Sequence, residues 1–405
     1  MNDNTAVLLG EEYINQNQAE IENRINFSAF SVYLIIGLLR ATNLDFPHWS
    51  LVAQVLQFAM LFLILFVVFL EVINRKIRLK PIPLAFLAIG LVNALITRHT
   101  LILSFAIFFF GFSNCRFEKL IKGYLIVLGM TFFVIEVLAF LDIIPMAYSS
   151  RTDVLRYNMG FRTSTLAPAI FFFFALGLVY LLQERIPVFV LLALLLGSFL
   201  LYQLTDTRTG FFLTVLLVFL AYLYRFESIR SFSKKLFSMK WMKFLCIFFP
   251  VFILLFDFML IGYYSTFTSL AFRLNRLLST RLSLSLNLIK TYGFHLFGKK
   301  IPSIVNGEYY QSDICYIYYG LNYGILALVM TLYLHIKTIQ YGLKRNDVWL
   351  VVSILFVVLD GIFEPYVLDY KYQIFTMAIS PSLLAYQSRI KVYECSERLL
   401  EEYNL

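Results

Sequence analysis

Long apolar runs alternate with short polar segments through most of the chain. A helix needs roughly 20 mainly apolar residues to cross a bilayer, and the runs between charged positions predict twelve such helices. The predicted spans are 25–39, 51–73, 82–96, 100–113, 121–143, 166–182, 187–204, 210–224, 244–263, 314–336, 348–363 and 372–386. Three of these, 25–39, 100–113 and 372–386, are short for a bilayer. The pattern predicts an all-α fold, a polytopic membrane helix bundle of about 12 transmembrane helices.

One polar stretch, 264–313, is long enough to form a sizeable structure outside the bilayer. The N-terminal segment is polar and acidic, so no cleaved signal peptide is expected. The predicted organisation is a cytoplasmic N-terminal segment (1–24), transmembrane helices 1–9 (25–263), a long extracytoplasmic loop with an amphipathic helix (264–313), transmembrane helices 10–12 (314–386) and a cytoplasmic tail (387–405).

Composition supports a membrane protein. Of the 405 residues, 60% are hydrophobic and 15% are charged, and the mean hydropathy is +0.76. Soluble domains carry about 25% charged residues, so an ordinary water-soluble globule is excluded. The four cysteines are scattered, without a CxxC pair or a histidine at ligand spacing. This pattern indicates neither a zinc site nor a disulfide framework, and no metal or cofactor is expected.

The net charge of +9 becomes informative when the 34 basic side chains are placed on the predicted topology. Cytoplasmic loops of membrane proteins carry an excess of Lys and Arg. Most basic residues here fall in alternate loops, with the richest cluster in 225–243. This arrangement predicts that both termini are cytoplasmic, and the basic balance then gives no reason to expect a nucleic-acid partner.

The predicted outer segments also carry cations, although topology does not require them there. In the short outer loops these are almost all arginines: Arg40, Arg98, Arg151, Arg156, Arg162 and Arg208. The planar guanidinium binds phosphate bidentately, whereas Lys acts as a point charge. Such a set indicates a phosphorylated ligand on the outer face. For a single loop arginine, headgroup contact or pairing with a nearby acid is the favoured interpretation, and only the set as a whole favours a phosphorylated ligand.

The two halves of 264–313 differ in character. The first half is amphipathic, and on one continuous helix Arg273, Arg276 and Arg281 would fall within an arc of about 140°. Such a basic helix can lie at the membrane interface, or it can simply cover the bundle. The second half has the polar, turn-like composition of a binding loop. It contains His295, Gly298, Lys299, Lys300, Glu308 and Asp313.

Several short motifs resemble the Wzy-type polysaccharide polymerases and O-antigen ligases, especially the capsule-repeat polymerases of Gram-positive cocci. The motifs are Arg156-Tyr-Asn-Met-Gly-Phe-Arg162 before a span, Asp206-Thr-Arg-Thr-Gly210 at the start of a span, Leu278-Ser-Thr-Arg281 with Leu296-Phe-Gly298, and Ser312-Asp313 with Tyr316 and Gly324. The resemblance covers roughly residues 120–336. The histidine pattern of the ligases is missing from the long loop, which favours a polymerase.

The resemblance implies a substrate and a reaction. The substrate would be an oligosaccharide repeat unit on undecaprenyl diphosphate, and the reaction would transfer the growing glycan from this carrier to a sugar hydroxyl of an incoming unit. It implies a multi-pass protein of the bacterial cytoplasmic (inner) membrane, with a chain-length regulator and a flippase as possible partners besides the lipid bilayer.

Two roles are needed for this chemistry, cationic stabilisation of the diphosphate and positioning or deprotonation of the acceptor hydroxyl. Glu136 is a candidate because an acid within a span is costly and often functional, although structural pairing with an arginine explains it equally well. Glu308 is a further candidate base. The expected catalytic residues are Arg281, Arg208, Asp313, Glu136 and His295, and the expected substrate-binding residues are Arg151, Arg156, Arg162, Arg273, Arg276, Gly298 and Tyr316.

Other polar residues in the predicted spans are expected to form helix–helix hydrogen bonds. These are Asp257, Asp360, Gln54, Gln57 and Asn93, while His335 is expected at the cytoplasmic interface. The main alternative function is a lipid-linked oligosaccharide flippase or another polytopic transporter, because twelve spans suit that class too. Transporters commonly have repeated halves, which this sequence does not show. A membrane scaffold or sensor would not need an arginine-rich outer face.

Overall fold

The computed structural model describes residues 3–75, 81–151, 154–302, 304–305 and 308–383. The fold is all-α, and helices make up 76% of the described residues. The helices are α1 (Asp3–Arg40), α2 (Trp49–Arg75), α3 (Pro81–Thr97), α4 (Leu101–Gly111), α5 (Phe117–Phe140), α6 (Leu166–Leu182), α7 (Val188–Thr205), α8 (Arg208–Tyr224), α9 (Glu227–Ser238), α10 (Lys240–Tyr264), α11 (Ser269–Leu277), α12 (Arg281–Tyr292), α13 (Cys315–Asn322), α14 (Ile325–Lys344), α15 (Val348–Asp360) and α16 (Ser380–Leu383).

The strands in the described residues form two small antiparallel hairpins. They are β1 (Tyr148–Arg151) with β2 (Val154–Tyr157), and β3 (Ile304–Val305) with β4 (Glu308–Tyr309). The first hairpin follows α5, and in its register Ser149 lies opposite Arg156. Each hairpin is a two-stranded sheet. Because isolated two-stranded ribbons are only marginally stable, each depends on the helices around it.

Six helices in the described part of the chain are long and apolar enough to cross a membrane. They are Trp49–Ile73, Phe117–Phe140, Leu166–Arg185, Val188–Thr205, Lys240–Tyr264 and Ile325–Lys344. The bent pair of α8 and α9, which meet at 107°, brings the number to seven if it is counted as one span. The prediction of about 12 spans is therefore not supported.

Several predicted spans form helices that are too short for a bilayer. At 1.5 Å per residue, the 11 and 13 residues of α4 and α15 extend well below the roughly 30 Å of a hydrocarbon core, and the 17 residues of α3 extend slightly below it. The predicted span 25–39 forms the C-terminal part of α1. In place of 372–386, the described residues contain a 3-10 turn (Phe375–Ile379) and the four-residue α16.

The predicted span 314–336 is broken into α13 and α14 at Tyr323 and Gly324. Gly324 has a φ of 92° and Gly298 a φ of 80°, and a Cβ on either would overlap the backbone of the other segment. Asn93 of α3 donates hydrogen bonds of 2.9 Å to the carbonyls of both Phe297 and Tyr323. The break is thus held against the end of the long loop, and the helix resumes and continues to Lys344.

The long loop 264–313 contains two helices rather than one. The Thr268 hydroxyl caps α11 by accepting a hydrogen bond from the Ala271 N–H at 3.2 Å. Ser279 and Thr280 have left-handed backbone angles, with φ of 59° and 67°, and they separate α11 from α12. The prediction that Arg273, Arg276 and Arg281 share one continuous helix is wrong, because this turn changes the chain direction before Arg281.

The bundle core is rich in aromatic side chains. Phe30 of α1 and Phe108 of α4 meet edge-to-face at 4.9 Å, and the Tyr370 ring lies 4.9 Å from that of Phe108. These geometries are favoured by the ring quadrupoles. On the outside, large apolar side chains such as Phe62 and Phe69 of α2 are more than half exposed. An exposed apolar surface of this extent is what a lipid-facing helix presents.

Candidate functional site

A cavity of about 470 Å³ lies where several helices begin or end. It is bordered by β2, the turn between α7 and α8, the turn between α11 and α12, the residue run before α13 and the segment after α15. Its lining residues are Arg156, Thr165, Asp206, Thr207, Arg208, Thr209, Phe212, Leu213, Leu277, Leu278, Ser279, Arg281, Asp313, Phe363 and Glu364. The cavity therefore combines charged groups with an apolar wall.

Arg281 is the first residue of α12 and joins two distant parts of the chain. Its Nε donates to Asp313 Oδ2 and its Nη2 donates to Glu364 Oε1, both at 3.2 Å. The Arg281 side chain is 14% exposed, that of Asp313 is 27% exposed and that of Glu364 is 6% exposed. Charge-assisted hydrogen bonds of this kind are strong, so the two carboxylates fix the guanidinium at the cavity wall.

Arg156 reaches the cavity from β2 and bonds to the turn between α7 and α8. Its Nε donates to the carbonyl of Thr205 at 2.8 Å, and its Nη2 donates to the hydroxyl of Thr207 at 3.3 Å. Asp206 ends α7 in a left-handed conformation with φ of 47°. This arrangement fixes the direction in which α8 starts.

Arg208 is the first residue of α8. Its side chain is 64% exposed, compared with 14% for Arg281. Its Nε lies 3.9 Å from Asp206 Oδ1, a loose ion pair. The first backbone N–H groups of a helix lack intrahelical partners and favour anions. Because α8 and α12 both begin at the cavity with an arginine, backbone and side chain provide positive potential at the same place.

Glu364 follows α15 and is a site residue that the sequence analysis missed. Burial raises the pKa of its carboxyl well above the usual range, while the neighbouring Arg281 lowers it and the Asp313 and Asp360 carboxylates raise it. The sequence offers one weak signal, an acid placed just beyond a predicted span. It could not show that Glu364 and Arg281 meet, because 82 residues separate them.

Four sequence-predicted residues are brought together by the cavity: Arg156, Arg208, Arg281 and Asp313. Three other predicted arginines lie elsewhere. The Nε of Arg162 donates to the carbonyl of Thr42 at 3.3 Å, and Arg273 and Arg276 are exposed on α11. The side chain of Arg151 lies outside the described residues.

The remaining predicted site residues of the long loop are not among the cavity residues. His295 is exposed, and its Nε2 lies 2.9 Å from the carbonyl oxygen of Tyr292. Gly298 is required by close backbone packing at the break between α13 and α14. The side chain of Glu308 lies outside the described residues.

Glu136 and Tyr316 lie within helices away from the cavity lining. Glu136, in α5, is partly buried, and its Oε1 has no hydrogen-bond partner among the described residues. Tyr316 is fully buried, and its hydroxyl is 3.2 Å from Nδ1 of His335. His335 is itself fully buried within α14.

The other embedded polar residues differ in their partners. Gln57 accepts a hydrogen bond of 2.6 Å from Arg40, which joins α2 to α1. Both carboxylate oxygens of Asp257, in α10, and one oxygen of Asp360 are buried and lack a hydrogen-bond partner within the described part of the chain. In that same part, no three His, Cys, Asp or Glu side chains are grouped as metal ligands.

No known protein family, curated protein or solved structure matches this chain.

Proposed function

We propose that the protein is a membrane glycosyltransferase that polymerises undecaprenyl-diphosphate-linked oligosaccharide repeat units into a capsular or O-antigen-like polysaccharide. The reaction would take place on the outer face of the bacterial cytoplasmic membrane, with both protein termini in the cytoplasm. The observation that carries the proposal is the convergence of Arg156, Arg208 and Arg281, from three separate segments, on one cavity. The motif resemblance supplies the glycan and its carrier.

The charge arrangement suits a diphosphate. Arg208 lines the cavity and has a largely exposed side chain. Arg281 has N–H groups beyond the two that bind carboxylates. Fixed cationic donors stabilise the negative charge that develops on a diphosphate as it leaves. This electrostatic role is the contribution we assign to the arginines.

The size and apolar wall of the cavity suit a lipid-linked ligand. Its volume of about 470 Å³ falls in the range of about 300–1,000 Å³ typical of ligand pockets. Phe212, Leu213 and Leu277 line it beside the charged groups. The apolar side chains would contact the first part of a prenyl chain while the arginines hold the diphosphate.

Asp313 is the group we assign to the acceptor. It lines the cavity, and its side chain remains 27% exposed although it contacts Arg281. A carboxylate that is held in place yet reachable can orient a sugar hydroxyl and accept its proton. The acceptor oxygen would bond to the donor's anomeric carbon, and the bond from that carbon to the diphosphate would break.

Replacing Arg208 by Ala tests the phosphate role. Because this side chain is largely exposed and makes only a loose ion pair, we expect normal insertion but a loss of polymer of about 100-fold or more, the scale of losing one charge-stabilising donor. Polymer length is measured on glycan gels, with protein amount in the membrane measured in parallel.

Arg273→Ala is the matched control, because Arg273 is an exposed arginine outside the cavity lining. It should leave polymer unchanged. Arg281→Ala should also abolish polymer. Because it leaves the Asp313 and Glu364 carboxylates without their shared cation, the amount of this variant in the membrane must be measured as well. Full-length glycan in both Arg208→Ala and Arg281→Ala would contradict the phosphate role.

A flippase for lipid-linked oligosaccharides is the second candidate, and one observation favours it. The broken helix pair α13 and α14, near buried acids such as Asp257, is typical of transporters. A deletion strain separates the two functions. Single repeat units accumulating on the outer face indicate a polymerase, whereas repeat units trapped on the cytoplasmic face indicate a flippase.

A further inference from the structure

The charged side chains that line the cavity balance one another. Three are arginines, Arg156, Arg208 and Arg281, and three are acids, Asp206, Asp313 and Glu364. If all six are ionised, the cavity has no net formal charge to attract an anion. A diphosphate bound there must also compete with two carboxylates for the N–H groups of Arg281.

Glu364 is the acid best placed to relieve this competition. Its side chain is 6% exposed, compared with 27% for Asp313 and 17% for Asp206. An ionised carboxylate at that depth depends on its cation, because burying an unpaired charge is costly. If a diphosphate takes over the Arg281 N–H that now binds Glu364, the carboxylate loses that compensation.

The groups around Glu364 come from every element packed against it. Arg281 at the start of α12 favours the ionised form, whereas Asp313 before α13 and Asp360 at the end of α15 disfavour it. A hydrogen bond with Tyr366 in the following segment also favours the ionised form and lowers the pKa of Glu364, and Tyr372 lies nearby. With burial as the largest influence, the pKa of Glu364 is already raised while Arg281 is bound to it.

We propose that diphosphate binding at Arg281 is coupled to the uptake of one proton by Glu364. In this step the hydrogen bond from Arg281 Nη2 to Glu364 Oε1 breaks, and the same N–H donates to a phosphoryl oxygen. A proton from water then binds the Glu364 carboxylate. The cavity gains one unit of positive charge when the anion enters, and no other reactant is required.

This inference rests on the proposed function for its ligand, a diphosphate, but it makes a separate claim about affinity. Because the protonated form binds the anion, affinity should be highest at mildly acidic pH and should fall as the pH rises above the pKa of Glu364. One coupled proton sets a limiting slope of about tenfold in affinity per pH unit. A site of fixed charge would show no such slope from this residue.

The test uses the purified full-length protein in detergent and two probes, inorganic diphosphate and farnesyl diphosphate. Titration calorimetry over a pH series, repeated in buffers of different ionisation enthalpy, gives both affinity and proton uptake. For the unmodified protein we expect weaker diphosphate binding as the pH rises. At pH values at which Glu364 is ionised before binding, close to one proton should be taken up for each diphosphate bound.

Glu364→Gln should bind the diphosphate more tightly at alkaline pH, on the order of tenfold, and its pH profile should keep only the slope that the phosphate protons of the probe contribute. Glutamine keeps the size and a hydrogen-bonding carbonyl but carries no charge. Glu227→Gln is the control, because this acid begins α9 and is exposed. It should leave both affinity and proton uptake unchanged.

The outcomes separate this inference from the proposed function. Weaker binding by Glu364→Gln at every pH would mean that Glu364 only positions Arg281, which overturns the proton coupling and leaves the diphosphate site standing. A pH-independent affinity of the unmodified protein would overturn it in the same way, even if the variant failed to fold. Binding of neither probe by the unmodified protein would overturn both. Coupled binding of inorganic diphosphate alone would support the coupling and contradict the lipid carrier.

Discussion

At the residue scale, Gly298 and Gly324 show how closely two backbone segments can approach. Both have positive φ, and a Cβ on Gly298 would overlap the carbonyl of Asn322. Only glycine tolerates this combination of left-handed backbone and close contact at little cost. The two glycines thus hold two backbone segments together, and neither is among the residues that line the cavity.

Gly298→Ala should destabilise the protein by about 2–4 kcal/mol, combining left-handed strain with overpacking against backbone. The thermal unfolding midpoint in detergent measures the effect. Gly262→Ala is the control, because a Cβ there meets nothing within 4 Å and the residue lies in α10. It should be neutral or stabilising by up to about 1 kcal/mol. Equal midpoints for both variants would contradict the close-packing argument.

Individual cavity residues were partly predictable from the sequence. Arg156 and Arg208 belong to a set of outer arginines, and that set indicates phosphate binding because guanidinium groups bind phosphate bidentately. Asp313 was predicted from its place in a motif of the long loop. Glu364 was missed because its significance depends on Arg281, which is distant in the chain. Arg273 and Arg276 were expected on the same helix face as Arg281. Amphipathic spacing does not reveal the left-handed turn at Ser279 and Thr280 that separates them.

At the scale of elements, the helices were easier to predict than their lengths or their role in spanning. Apolar runs marked nearly all of the longer helices, but α3, α4 and α15 are short, and α13 separates from α14 at Gly324. Hydropathy does not show whether an apolar run crosses a membrane or is buried by its neighbours. Phe105, Phe108 and Phe109 of α4 are almost completely buried, so this helix owes its apolar character to the protein core.

The side chain of Asn93 connects α3 to the break between α13 and α14. Asn93→Ala removes two hydrogen bonds to the carbonyls of Phe297 and Tyr323. We expect a loss of about 1–2 kcal/mol, the range for buried polar contacts between membrane helices, measured by thermal unfolding. Gln54→Ala on α2, where the side chain is exposed, should change stability by less than about 0.5 kcal/mol. An unchanged midpoint for Asn93→Ala would show that the break is held by other contacts.

At the scale of the whole molecule, the proposed function depends on which side of the membrane the cavity faces. The proposed outer cavity is bordered by Leu277, whereas the basic α9 lies in the segment predicted to be cytoplasmic. The sequence predicted this arrangement from the positive-inside rule. Charge alternation did not give the number of spanning helices. Six or seven helices within the described residues are able to cross a membrane.

Cysteine labelling tests this orientation. In a background without the four native cysteines, Leu277→Cys should react with a membrane-impermeant maleimide in intact cells, because Leu277 is 72% exposed. Ser238→Cys, exposed at the end of α9, should react only after permeabilisation. The reverse pattern would overturn the proposed topology and place the cavity on the cytoplasmic side.

The ion pairs of Arg281 have a consequence for biosynthesis. Arg281 at the start of α12 emerges from the ribosome before Asp313 and well before Glu364, which follows α15. During synthesis the guanidinium therefore lacks Asp313 until 32 further residues have been added, and it lacks Glu364 until 83 have been added. A nascent chain can hold its earlier helices in the membrane while the cavity is still open on one side. The ion-pair network can therefore form only after the segment that carries Glu364 has been synthesised.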